Sequence, residues 1–169
     1  MGKQKSLFMD GGALFSKCRR YRYVLRRTWS GNPEYCMFIG LNPSTADAEM
    51  DDNTIRRCIR YAQAWGYSGM FMVNLFAYRA TDPADMMAAE DPVGPENDYH
   101  IKRMAAKSKE IIAAWGNHGA YLDRDQAILN MGFDLRVLGL TGQDQPVHPL
   151  YQPKDALPVH FDYRDYKKG

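Results

Sequence analysis

Residues 35–41 read YCMFIGL, seven residues without a charge, closed by Asn42-Pro43-Ser44. Unbroken apolarity over this length fits a strand covered on both faces. Three further runs are similar: GMFMVNLFA at 69–77, EIIAAW at 110–115 and LRVLGL at 135–140. Segments with helical spacing lie between them. Ile55, Ile59 and Ala62 share one face of a helix expected over 53–65, with the arginines on the other face and Gly66 as the stop. Helices are also expected over 96–108 and 120–131, with one helical turn at 83–89. Strands alternating with helices predict an α/β protein: a three-layer α/β/α single domain around a four-stranded parallel sheet. YRYVLRR at 21–27 reads as a strand with charges on one face, extending the sheet at its edge.

Length and composition agree with one domain over 1–169, since 45% of the residues are hydrophobic and 25% charged. No apolar run approaches the roughly 20 residues of a membrane span, and residues 1–8 lack the apolar stretch of a secretory signal. Cys18, Cys36 and Cys58 are too few and too scattered for a four-cysteine metal site or a disulfide framework. A cytoplasmic protein with reduced thiols is the expectation, with no membrane partner. Residues 1–30 carry eight basic groups against one acid, Asp10, in a chain whose net charge is +2. This basic N-terminal arm, including Lys3, Lys5 and Lys17, either touches phosphates or is a solvated edge. Residues 141–169, rich in proline and aromatics, are expected to form an irregular tail.

Ligands of open parallel sheets bind at the carboxyl ends of strands, so the residues that follow each run carry the chemistry. Dinucleotide-binding, P-loop and nucleophile-elbow signatures are absent, and His100, His118, His148 and His160 form no metal-binding pair. What remains is amide- and histidine-based: Asn42 after the first run, Asn74 in the second, Asn117 and His118 after the third, His148 after the fourth. An asparagine side chain offers the donors and acceptor that match a nucleobase edge. A histidine can stabilise an oxyanion forming on a leaving base. Phe76, Tyr78, Trp115 and Tyr151 are candidates for stacking, although Trp115 reads more simply as core. Arg79 suits a phosphate or an acidic partner equally. The acids Asp47, Glu49, Asp51 and Asp52 read as a helix N-terminal cap, as a general base, or in a weaker reading as a Mg²⁺ site.

Four of these strand ends, in order, resemble the uracil-DNA glycosylase superfamily. Gly40-Leu41-Asn42-Pro43-Ser44 is similar to the first motif of its mismatch-specific branch. Met72-Val73-Asn74 is similar to the strand that ends in a base-reading asparagine. Ala114-Trp115-Gly116 is similar to the third strand end, and His148-Pro149-Leu150-Tyr151 to a shortened last motif. The whole chain more closely resembles an uncharacterised bacterial and phage family (DUF1643-like) through residues 38–47, 51–57 and 148–151. The first resemblance implies a glycosylase-like fold and a hydrolase that cleaves an N-glycosidic bond to a nucleobase, in DNA or a nucleotide, without cofactor. It implies that Asn42 positions the attacking water, that Asn74 binds the base edge and that His148 stabilises the departing base. It further implies that Leu150 or Tyr151 wedges beside a flipped nucleotide, with Ser44, Thr45 and arm cations on phosphates. An amide does not take up a proton near neutrality, so Asp47 or Asp52 would be the base. Gly40, Pro43, Phe76, Arg79, Asn117 and His118 complete the expected pocket. A catalytically silent nucleotide- or nucleic-acid-binding module on the same scaffold is the alternative.

Overall fold

A computed structural model of the chain describes residues 10–31 and 34–163. Lys3 and Lys5 of the basic arm, the segment read for a signal, and the last six residues of the tail lie outside the described residues. The strands are β1 (Asp10–Phe15), β2 (Arg22–Thr28), β3 (Tyr35–Gly40), β4 (Gly69–Asn74), β5 (Ser108–Ala113), β6 (Leu135–Val137) and β7 (Val159–His160). They form one sheet in the order β1-β2-β4-β3-β5-β6-β7. The pairs β3–β4, β3–β5 and β5–β6 are parallel; β1–β2, β2–β4 and β6–β7 are antiparallel.

The expected four-stranded parallel, three-layer, glycosylase-like fold is therefore corrected to a seven-stranded mixed sheet with few helices. The added strands sit at the edges and carry little of the apolar signal by which a buried strand is recognised. β1 begins Asp10-Gly11-Gly12, and β7 has two residues, both exposed. β2 is not the edge, because β1 lies outside it. Its charges are not a solvated face either: Arg22 and Arg27 are buried.

Helix α1 (Asn53–Ala64) covers one face of the sheet. Asp52 caps it, its carboxylate accepting from the Ile55 N–H at 2.9 Å. Ile55, Cys58, Ile59, Tyr61 and Ala62 pack with Cys36, Phe38, Met70, Met72 and Ile112 from the strands. The opposite face is covered by short helices α2 (Pro83–Met87), α3 (Asn97–Ala106) and α4 (Arg124–Leu129). Met86, Ile101, Met104, Ile128 and Leu129 there meet Met37, Ile39, Phe71, Val73 and Ile111.

Several element limits differ from expectation for local reasons. β4 leaves the ladder at Asn74, short of the end of its apolar run, where side chains take over the carbonyls. Asn97 Nδ2 donates to the oxygens of Asn74 (2.9 Å) and Leu75 (3.0 Å), and Arg124 Nε donates to that of Leu75. The helix expected over 120–131 is a 3-10 turn over Asn117–Asp123 followed by α4. Left-handed backbone at Leu122 (φ 53°) and Asp123 (φ 54°) separates the two.

The crossover from β3 runs on the α1 face, whereas the one from β5 runs on the face of α4. The loops after these adjacent strands diverge and open a crevice at their carboxyl ends. Among the described residues, no helix is long and apolar enough to cross a membrane.

Candidate functional site

The crevice is a cleft of about 640 Å³. Its walls come from the segment after β3, the end of β4, the turn after β5, the first turn of α1 and a 3-10 turn at Pro149–Tyr151. It brings together Gly40, Asn42, Pro43, Ser44, Asp52, Asn74, Asn117, His118, His148, Leu150 and Tyr151 of the expected site. Thr45, Asp47, Phe76 and Arg79 do not line it.

Asn74 is 3% exposed, and its Nδ2 has no hydrogen-bond partner among the described residues. A buried amide donor left unmet is costly, so the position favours a ligand that accepts from it. Asn42, at the end of the neighbouring strand, is differently placed. Its Nδ2 donates to the carbonyls of Ala80 (2.8 Å) and Pro43 (3.1 Å). These bonds fix the side chain and tie the loop after β3 to the loop after β4.

His148 starts the 3-10 turn. Its Nδ1 accepts from the Leu150 N–H at 3.2 Å, so in the neutral ring the proton sits on Nε2. Burial pushes the imidazole below its ordinary value, with the nearby Asp52 charge opposing. The cleft thus contains a neutral histidine with an oriented Nε2–H donor.

The turn that carries His148 is held from α1. Arg57 Nη1 donates to the carbonyls of Gln152 (2.8 Å) and Pro149 (3.3 Å). The Tyr61 hydroxyl donates to Pro153 O at 2.7 Å, and Trp65 Nε1 donates to Ala156 O at 3.1 Å. These three residues recur at i, i+4 and i+8, one stripe of a helix. Arg57 is therefore turned toward the protein, not toward solvent. Leu150 and Tyr151 emerge at the rim, the latter 83% exposed.

The acids divide by role. Asp52 caps α1 and lines the cleft. Asp47 lies outside the cleft: its Oδ1 accepts from the Glu49 and Met50 N–H groups at 2.9 and 2.8 Å. Those bonds, Glu49's first, hold its carboxyl below the usual range. Asp51 pairs with buried Arg27 at 2.9 Å, and Arg27 also binds the Asp47 and Met50 carbonyls. The acidic loop is thereby folded around a guanidinium. Among the described residues, no group of three potential metal ligands is found.

The other expected contacts have packing roles. Phe76 is fully buried and meets Tyr121, with ring centroids 5.7 Å apart. Tyr78 packs edge-on against Tyr21. Trp115 lines the cleft yet is 1% exposed, its Nε1 donating to Gln145 Oε1 at 2.8 Å. Arg79 lies over the Phe15 ring, 4.7 Å from its centroid, and donates to Arg19 O. Asn117 accepts from the Thr141 hydroxyl. Gly116, with φ 76°, makes the turn that presents Asn117 and His118.

Arg22, read in the sequence only as one cation of the basic arm, lines the cleft. Arg22 is 2% exposed, donates from Nη1 to Ala46 O at 3.0 Å, and has no partner at Nε among the described residues. A register shift explains its direction. β1 pairs Leu14 with Val24 but Phe15 with Arg22, so Tyr23 is bulged out of the ladder. Tyr23 joins Val24 in the core under α3, while Arg22 turns toward the α1 face. Bulges re-aim side chains in this way. The sequence signal, an arginine between two tyrosines, does not distinguish this from ordinary alternation.

A family model described as "Protein of unknown function (DUF1643)" matches residues 22–150. No curated protein and no solved structure matches the chain.

Proposed function

The chain belongs to the DUF1643 family, and for it we propose an N-glycosidic hydrolase whose cleft receives a nucleobase attached to a sugar. The observation that carries this reading is the pairing of two neutral donors in one cleft: the unpartnered Nδ2 of buried Asn74 and the Nε2–H of His148. A nucleobase presents carbonyl and ring-nitrogen acceptors, and its anion, formed on departure, binds such donors more strongly than the neutral base does.

In this mechanism Asn74 holds the base edge and His148 faces the oxygen on which charge develops. The C1′–N bond breaks with its electron pair going to the base. Water adds its oxygen to C1′, positioned by Asn42. Asp52 takes up the water proton, which is passed to the departed base. The negative charge of Asp52 also favours the cationic sugar in the transition state. Tyr151, at the rim, offers a ring for stacking. The resemblance of the motifs at residues 40–44, 72–74, 114–116 and 148–151 to uracil-DNA glycosylases supports the same assignment.

A binding-only reading has one observation in its favour. The Asn42 amide nitrogen donates to two backbone carbonyls, and the Asp52 carboxylate already caps α1. No group in the cleft is then reserved for proton transfer.

The test is base release. Single- and double-stranded oligonucleotides carrying uracil, hypoxanthine and other altered bases, and free nucleotides, are incubated with the protein and assayed by mass spectrometry. Release that disappears in Asn74→Ala and His148→Ala is the expected result. Retained binding of a nucleotide without any release sinks the hydrolase and leaves the binding module.

A further inference from the structure

We infer that the cleft is built for a terminal phosphate, so that its ligand is a mononucleotide and not an internal segment of a nucleic-acid strand. The inference rests on the nucleobase reading above and adds the other end of the ligand. It comes from Arg22 and the first turn of α1 lining one cleft.

Arg22 lines the cleft with 2% of its surface exposed. One nitrogen has a carbonyl partner, and Nε has none among the described residues. A guanidinium carries its donors in a planar fork matched to phosphate oxygens. Burial without a paired anion lowers its pKa to about 10, and the field of Asp52 opposes that shift. No carboxylate is ion-paired with it within the described residues, in contrast to Arg27 with Asp51 and Arg124 with Asp98. The site therefore holds a desolvated cation on which Asp52 and Asp47 act through their fields but with which no carboxylate is ion-paired among the described residues.

Asn53 and Thr54, the first two residues of α1, line the same cleft. Among the described residues, the Asp52 side chain accepts from the Ile55 N–H and from no other backbone amide. The amides of Asn53 and Thr54 belong to the first turn, where no intrahelical acceptor exists. An anion is favoured at such an end. Asp52 stands against this, as a negative charge in the same cleft. Arg79 and Arg27 add positive field at Arg22, while Asp47 adds negative field. Asp52 thus belongs with the sugar, in the role given above, and Arg22 suits the phosphate.

Burial decides the form of the phosphate. A monoester ends the ligand and needs one opening. A phosphodiester must let chain leave on both sides, for which a guanidinium only 2% exposed leaves little room. Hydrolysis of such a nucleotide by the mechanism above releases the base and a sugar phosphate, with water as the only co-reactant.

Affinities of the wild-type protein would be measured by calorimetry for nucleoside 5′-monophosphates, the matching nucleosides, ribose 5-phosphate, inorganic phosphate and a single-stranded oligonucleotide. For the preferred base, the monophosphate is expected to bind on the order of tenfold or more tighter than the nucleoside, as one charged hydrogen-bonding group provides. Inorganic phosphate should compete with it. Arg22→Gln, checked by circular dichroism, should bring the monophosphate down to nucleoside affinity. The wild-type comparison stands even if that variant does not fold. Equal affinity for nucleoside and monophosphate, or tighter binding of the oligonucleotide, overturns the inference and leaves the nucleobase reading intact. Ribose 5-phosphate binding as well as every monophosphate overturns the nucleobase reading instead and leaves the phosphate site. No binding of any of these probes overturns both.

Discussion

The Oδ1 of Asn74 lies 2.8 Å from the point that a Cβ on residue 40 would occupy, and Met72 Sδ lies 3.4 Å from the same point. Gly40 and Asn74 are partners across the parallel β3–β4 ladder, so the absent side chain of one makes room for the amide of the other. The glycine of the motif at 40–44 is thus explained by packing. Gly40→Ala should displace the Asn74 amide and cost about 1–3 kcal/mol of stability by urea unfolding, as overpacking of a closed core does. It should also remove ligand binding to the same extent as Asn74→Ala. The double variant should bind no worse than either single one, since both act through one amide. Additive losses in binding would show that Gly40 acts elsewhere.

Tyr61 and Arg57 hold the His148 turn without entering the chemistry. Tyr61→Phe removes the donor to Pro153 O, an expected loss of about 1 kcal/mol. Arg57→Met frees the carbonyls of Pro149 and Gln152. In both variants exchange of the Leu150 amide, bonded to His148 Nδ1, should accelerate by more than global stability explains. Base release or nucleotide affinity should fall with it. Unchanged exchange at Leu150 would mean that the turn holds itself.

The apolar runs at 35–41, 69–77, 110–115 and 135–140 each hold all or most of a strand because continuous apolarity is a strong one-dimensional signal. The sheet they belong to was not legible at that level. β1 is glycine-rich at its start and β7 is two residues long, so their pairing depends on neighbours and not on their own composition. The strand ends pointed to most of the cleft, since Asn42, Asn74 and His148 follow or close buried runs. Arg22 did not stand out, because the bulge at Tyr23 that aims it is set by the register with β1. Asp47 and Asp52 are five residues apart in an acidic segment, yet only Asp52 reaches the cleft; buried Arg27 fixes that division.

The pH dependence follows from two histidines. His148 and His100 are both pushed below their ordinary value by burial, against the opposing charges of Asp52 and Glu96. Their folded forms bind fewer protons than the unfolded chain over the window below about pH 6.5. Their contribution is complete above that value and is lost as the pH falls toward the lowered folded pKa. Unfolding midpoints measured across that window should drop toward acid. His148→Gln and His100→Gln should each flatten part of the drop. Activity should decline over the same window, because protonation of Nδ1 removes the acceptor for Leu150 and the neutral donor state. A His148→Gln variant with an unaltered acid limb would assign the drop to His100 alone.

Tyr151 separates function from stability more cleanly than any other cleft residue. It is 83% exposed, and its only described ring contact is with His148, at 5.6 Å between centroids. An exposed side chain of this kind contributes little to folding, so Tyr151→Ala should change unfolding free energy by no more than about 0.5 kcal/mol. Stacking of a base on its ring is worth roughly 1–3 kcal/mol, which is a loss of about fivefold to more than a hundredfold in affinity. Tyr151→Phe should retain nearly all of it, since the ring and not the hydroxyl makes the contact. Ligand titrations of the three proteins decide the matter. If Tyr151→Ala binds nucleotides as well as the parent, the ring is not a platform, and the base must be held by Asn74 and His148 alone.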